Sequence, residues 1–201
     1  MRVPERVVIG TKNPDKRNEM LAVLAAAVPA LEVVDGEWPD VDETGATLEE
    51  NALLKARAVA AATGHAAIAD DTGLEVDSLD GRPGVHTARF AGPQATYAEN
   101  RRRMLDELRT AADRSARFRT VVALVGPGFD DLTIEGVLEG RITREERGEF
   151  GFGYDSIFEV GGRTLAEIPE EEKNRISHRA IALRSLADVL AGADTPGGAA
   201  H

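Results

Sequence analysis

Strand-length apolar segments alternate with longer helical repeats through the first third of this chain, and that alternation narrows the fold more than any other feature. Arg6 to Gly10, RVVIG, reads as a short buried strand. Asn13-Pro14 then opens a helix whose apolar positions Met20, Leu21, Leu24 and Val28 recur at helical spacing. Proline is suited to a first helical turn because the N–H it lacks has no helical partner there. Leu31 to Val34 reads as a second strand, and Asp35 to Gly45 as an acidic irregular stretch. Thr47-Leu48-Glu49-Glu50 has the form of a capping box. The alanine-rich helix behind it is expected to run to Thr63, with Gly64 as its stop. His65 to Ala69 is strand-like and is expected to end at Asp70-Asp71, with an extended pattern resuming from Leu74 to Val76.

The pattern then changes. Gly81 to Gly84 reads as a turn and Thr96 to Leu108 as a strongly charged helix. Ala116 to Val125 and Leu132 to Ile142 are two longer strands joined by a Gly/Pro/Asp turn, and read as an antiparallel pair. Gly148 to Gly153 is a glycine-rich loop, and Ser177 to Leu190 a final helix with Ser177 as its cap. Helices alternating with strands, then strands pairing with strands, predict an α/β sandwich around a mixed sheet. With 201 residues, 42% of them apolar, one domain spanning residues 1–191, with two lobes, is expected. The small, Gly/Pro-rich residues 192–201 are expected to form a disordered tail, which makes His201 a poor functional candidate.

Composition removes several classes of function. There is no cysteine, which excludes disulfides and thiolate chemistry. No apolar run is long enough to span a membrane, and the first residues lack a signal-peptide pattern, so cytoplasmic residence is the expectation. A formal net charge of -11 argues against nucleic acid as a partner. A small phosphorylated ligand is compatible with that charge if local cations receive it. Only four lysines occur, against twenty arginines, and they fall at Lys12, Lys16, Lys55 and Lys173.

Five segments carry chemistry. Thr11 to Lys16, TKNPDK, joins a strand to a helix, where free helix N–H groups attract phosphate. Thr11 and Asn13 offer hydrogen bonds and Lys16 a full charge; the plainer reading is an N-capping turn, and the spacing is not that of a Walker loop. Asp70-Asp71 brings adjacent carboxylates that strand alternation sends in different directions, so the two should not do the same job. One suits Mg²⁺, and the same one or its neighbour suits orienting a water. In the acidic stretch Glu43 is the better second carboxylate, with Asp42 kept open. Phe152-Gly153-Tyr154-Asp155 sets rings beside glycines, which suits a flat nucleobase or, more plainly, a loop anchor. Lys173 suits phosphate, and His178-Arg179 offer donors that favour a keto purine over adenine.

Taken together these segments resemble the Ham1/RdgB family of inosine triphosphate pyrophosphatases. The matching pieces are TKNPDK at 11–16, the stretches at 42–64 and 67–92, GFGYDSIF at 151–158 and EEKNRISHRAIAL at 171–183. The resemblance implies a three-layer α/β/α, ITPase-like (Ham1/Maf-like) fold with a central mixed sheet, two lobes around a cleft, and a homodimer. It implies Mg²⁺-dependent hydrolysis of ITP, dITP and XTP to the monophosphate and pyrophosphate. By that resemblance Asp71 is the general base and a metal ligand, Glu43 the second ligand, and Asp70 a support. Thr11, Lys12, Asn13, Pro14, Asp15 and Lys16 would hold phosphate, with Lys55, Thr72 and Lys173 nearby. Phe152, Gly153, Tyr154, Asp155, His178 and Arg179 would form the base pocket. Two positions depart from the common pattern: Lys12 stands where many members have Gly, and Ser156 where many have Pro. Rival readings are the same fold acting on another modified nucleotide, or a non-catalytic nucleotide sensor.

Overall fold

The early alternation is realised as β1 (Arg6–Ile9), α1 (Pro14–Ala27), β2 (Glu32–Val33), α2 (Leu48–Thr63) and β3 (Ala66–Val76) in a computed structural model that describes residues 4–193. Then come β4 (Pro83–Gly84), α3 (Tyr97–Glu107), β5 (Ser115–Val125), β6 (Leu132–Ile142), β7 (Phe158–Val160), β8 (Arg163–Thr164), α4 (Glu170–Ile176) and α5 (His178–Ala193). Among the described residues the strands form a sheet of order β2-β1-β3-β5-β6-β7-β8, with β4 paired to β3. β1 is parallel to both neighbours, whereas β4 on β3, β7 on β6 and β8 on β7 are antiparallel. The parallel pairs fall where α1 and α2 intervene, because a parallel connection needs a crossover. None of the described helices is long and apolar enough to cross a membrane.

Two compact units can be distinguished within the described chain. The first holds the chain up to Asp71, Val121–Glu135 and the chain from Arg179; the second holds Thr72–Thr120 and Gly136–His178. In the first, alternate residues of β1 serve opposite faces. Val7 and Ile9 join Met20 and Leu24 of α1 with Leu183 and Leu186 of α5, while Val8 packs with Val59 of α2 and Ala67 of β3. Helices therefore cover both faces of this part of the sheet. Truncating Ile9, 2% exposed, to Ala would cost about 2–5 kcal/mol. The second unit has its own core, in which Leu74, Phe90, Met104, Phe118, Tyr154 and Phe158 meet.

Local signals explain the helix ends. Thr47 Oγ1 accepts from Glu50 N at 3.1 Å, and Gly64 closes α2 at φ 70°. The return half of the box goes elsewhere, since Glu50 Oε2 accepts from Ala46 N at 2.6 Å. α4 was not visible in the sequence pattern; it starts after Pro169 with Glu170, Glu171 and Glu172 in its first turn, where carboxylates favour a helix N-terminus. Two expectations need correction. Asp70-Asp71 do not end a strand: β3 runs unbroken through them to Val76, and each carboxylate is ion-paired in place, Asp70 with Lys16 and Asp71 with Lys55. The final helix continues through Ala193, past the point where the tail was expected to begin, and residues 194–201 lie outside the described residues.

Candidate active site

The register of β1 on β3 ends at Ile9 and Ile68, and Gly10 N donates to Ile68 O at 2.7 Å. Beyond that point the chain of β1 turns away through Thr11 to Asn13 while β3 carries on into Asp70 and Asp71. Strand order also reverses at β1, with β2 on one side and β3 on the other, and ligands of open α/β sheets bind at carboxyl strand ends beside such a reversal. Period-two alternation then separates the carboxylates. Asp70 shares the parity of Ile68 and faces α1 and α5; Asp71 shares that of Ala67 and faces α2.

Asp70 is buried among cations. Its Oδ2 accepts from Lys16 Nζ at 3.2 Å and from Arg179 Nε and Nη2 at 3.1 Å. Arg179 Nη1 also donates to buried Glu19. Burial alone would raise the Asp70 pKa, but Lys16, then Arg179 and Lys55, hold it far below the usual carboxylate range. Asp71 is placed differently. Its Oδ1 accepts from Lys55 Nζ at 3.2 Å and its Oδ2 from Asn51 Nδ2 at 3.1 Å. Lys55 Nζ also donates to Glu43 Oε1 at 3.0 Å. Burial pushes the Asp71 carboxyl up; Lys55 and Lys16 pull it back, Glu43 adds to the rise, and the net shift is upward. An elevated carboxyl pKa favours accepting a proton near neutrality.

The phosphate-type turn is already hydrogen-bonded. Asn13 is the N-cap of α1, and its Oδ1 accepts from Asp15 N at 2.9 Å and Lys16 N at 3.3 Å. Thr11 Oγ1 accepts from Asn13 N at 3.2 Å, and Pro14 opens the helix. Lys12 points to exposed Asp40, away from the aspartate pair. Glu43, Lys55 and Asp71 thus meet in one cluster, with Lys16 and Asp70 behind, and Asp42 takes no side-chain part in it.

In the second unit Lys173 is buried, with Nζ 2.6 Å from Asp155 Oδ2 and 4.8 Å from the centre of the Phe152 ring. The same Oδ2 accepts from Phe152 N at 2.8 Å. Gly151 is forced by this carboxylate: its φ is +72°, and a Cβ there would lie 2.1 Å from Asp155 Oδ2. Phe152 stays half-buried beside Tyr97, ring centres 6.1 Å apart. Tyr154 is core, and its hydroxyl donates to Thr87 O at 2.9 Å. Gly153 O accepts from Arg101 Nη1 at 2.9 Å, and Arg101 Nε and Ser156 Oγ both donate to Glu146 Oε2, at 2.8 and 3.0 Å. Ser156 therefore fastens the loop where a proline would stiffen it. His178 stacks on Phe118, ring centres 4.6 Å apart, and meets Thr120, which meets Thr72.

Asn51, Glu19, Arg101, Phe118 and Thr120 escaped the sequence reading. The available signal was a polar residue where the period demands an apolar one: Asn51 on the buried stripe of α2, Glu19 beside Met20, and Thr120 at the head of TVVALV.

Residues 7–189 match the model of the Ham1 family. The chain belongs to the Ham1 family. A dITP/XTP pyrophosphatase of Bacillus subtilis (strain 168) is 45% identical over 197 residues, covering 94% of this chain and 99% of the relative. One of Leifsonia xyli subsp. xyli is 44% identical, covering 96% and 98%. The solved Staphylococcus aureus Ham1 protein superposes with a TM-score of 0.82 at 37% identity, over 94% of this chain and 100% of that one. The fold is therefore the ITPase-like α/β fold of Ham1 proteins.

Proposed function

We propose that the chain is a nucleoside-triphosphate pyrophosphatase that hydrolyses dITP, XTP and ITP to the monophosphate and pyrophosphate. The carrying observation is Asp71: a buried carboxylate with a raised pKa, its two oxygens held by Lys55 and Asn51. The names of the relatives, dITP/XTP pyrophosphatases, support the same reading.

In this reading Asp71 accepts the proton of the attacking water, and Lys55 and Lys16 offset negative charge as it grows on the phosphoanhydride oxygens. Among the described residues no three carboxylate or imidazole side chains gather as a metal cage. Mg²⁺ commonly takes only one or two carboxylates and fills its shell from substrate phosphate and water. Glu43 and Asp71 fit that requirement, since both already converge on one cation, the Lys55 ammonium. The ion would supply Lewis-acid charge neutralisation. Asn51 fixes the Asp71 carboxylate and, through Oδ1, accepts from Gly45 N at 2.8 Å, which ties the Glu43 loop to the same helix. Phe152 offers a ring face to the base, and His178 a donor to a 6-oxo group. Arg179 reaches a base only by leaving a site where it is 2% exposed and bonded to Asp70 and Glu19. A homodimer, measurable by sedimentation, completes the reading.

The test is a panel of dITP, ITP, XTP, dATP and dGTP with Mg²⁺ and direct identification of products. Pyrophosphate plus monophosphate from the first three is expected. Release of orthophosphate without pyrophosphate, or nucleotide binding with no turnover, sinks the proposal.

A further inference from the structure

We propose that Asn51 is a positioning residue that holds the Glu43 loop and Asp71 together when Lys55 gives up their carboxylates to a divalent cation. This rests on the reading of Glu43 and Asp71 as metal ligands. Asn51 is 1% exposed, on the buried stripe of α2 alongside Leu48 and Ala52. A buried amide is costly unless its polar ends are bonded. Here both are: Oδ1 accepts from Gly45 N at 2.8 Å, and Nδ2 donates to Asp71 Oδ2 at 3.1 Å. The main-chain N–H of Gly45 can only donate, so it fixes the amide oxygen toward the loop and the NH₂ toward Asp71.

Lys55 lies one turn further along α2 and spans the same gap. Its ammonium joins Glu43 Oε1 to Asp71 Oδ1, at 3.0 and 3.2 Å. Loop and aspartate are thus bridged twice from one helix face, once by a charge and once by a neutral amide. A divalent cation drawn to Glu43 and Asp71 competes with the ammonium for the same carboxylates, so the charged bridge is the one that opens. The amide holds the other oxygen of Asp71 and a backbone N–H, so its bridge does not depend on the ammonium.

The loop is shaped to sit on this amide. A Cβ on Gly45 would lie 2.6 Å from Asn51 Oδ1 and 2.7 Å from Glu50 Cβ. Its φ lies outside the left-handed region, so glycine serves close approach there rather than backbone freedom. Next to it, Ala46 N donates to exposed Glu50. Glu50 therefore fastens the same loop without bonding Asp71, which makes it the control.

Hydrogen exchange of the Gly45 amide in the ligand-free, metal-free protein reads the bridge directly, with its signal assigned by its loss in Gly45→Ala. Slow exchange is expected in the wild type and in Lys55→Met. In Asn51→Ala it should quicken about tenfold, the worth of one hydrogen bond. With dITP and Mg²⁺, kcat is expected to fall about 10–100-fold in Asn51→Ala and in Gly45→Ala, the cost of a misplaced catalytic group. Glu50→Ala should keep the wild-type kcat. Asn51→Asp retains the acceptor for Gly45 and drops the donor to Asp71, so slow exchange with a low kcat is expected. Unprotected Gly45 exchange in the wild type overturns the proposal whether or not any variant folds. So does exchange as fast in Lys55→Met as in Asn51→Ala, or a folded Asn51→Ala with wild-type kcat. A Glu50→Ala that loses as much kcat as Asn51→Ala also overturns it, since fastening the loop would then be enough. A wild type inactive on dITP would instead defeat the proposed function, while the exchange rates still report on the bridge.

Discussion

The two faces of β3 around Asp70 and Asp71 shift the pKa of the same side chain in opposite directions. On the α1/α5 face Asp70 and Glu19 meet Lys16 and Arg179, two carboxylates against two cations. On the α2 face Asp71 and Glu43 share Lys55, two carboxylates against one. The balanced face pins its aspartate ionised; the deficient face lifts the aspartate pKa. Burial is common to both, so the count of cations decides the sign. One face is built to stay as it is, and the other is short of positive charge.

The sharpest way to break this contrast is substitution of each aspartate in turn. Asp71→Asn is expected to lower kcat by about 10²–10⁴-fold, the usual share of a general base, with the far-UV circular dichroism spectrum unchanged. Near-normal turnover would reject Asp71 as the base. Asp70→Asn should act on the fold instead. It leaves buried Arg179, with half-buried Lys16 beside it, facing one fewer carboxylate, which costs about 3–5 kcal/mol when a buried pair is broken from one side. Urea denaturation measures it, and a loss below about 1 kcal/mol would contradict the pinned role.

Acid sharpens the comparison at smaller amplitude, with opposite signs. The depressed pKa of Asp70 gives stability that is full above the unfolded carboxylate value of about 4 and is lost as pH falls toward the folded value. The raised pKa of Asp71 gives stability that is full below about 4 and is lost as pH rises through its folded value. Asp70→Asn should therefore be most harmful at neutral pH and approach wild type in acid. Asp71→Asn, which mimics the protonated acid, should gain on wild type at neutral pH and match it in acid. Urea midpoints at about pH 2.5, below the unfolded carboxylate value, and at about pH 8 separate the two; parallel shifts would deny the difference between the faces. The smallest effect is expected at Lys12→Ala, whose partner Asp40 is fully exposed: kcat/KM and the urea midpoint should both stay at wild-type values.

Much of this was legible in the chain because it depends on local chemistry. Thr47, Glu50 and Gly64 bound α2 by side-chain and backbone preferences that operate within a turn. The separation of Asp70 from Asp71 follows from strand alternation alone. What escaped depends on partners far along the chain. β3 continues through Asp70 and Asp71, whose ion partners Lys16, Lys55 and Arg179 all lie far along the chain, and nothing within four residues of the pair announces them. Thr120 and Asn51 sit inside apolar patterns, where a single polar residue reads as noise until its buried partner is known. Lys173 illustrates the reverse: its charge suggested phosphate, yet its nearest anion is Asp155 of the aromatic loop.

The distribution of lysines has a consequence for chemical modification. The side chains of Lys16, Lys55 and Lys173 are 19%, 12% and 7% exposed and each is ion-paired, whereas that of Lys12 is 53% exposed. Because the rest of the cationic surface is arginine, an acylating reagent meets one open lysine amine on the folded chain. Lys12 is therefore a natural conjugation handle. Slow acylation at the other three becomes a footprint, reporting site by site when the Asp70, Asp71 and Asp155 ion pairs open.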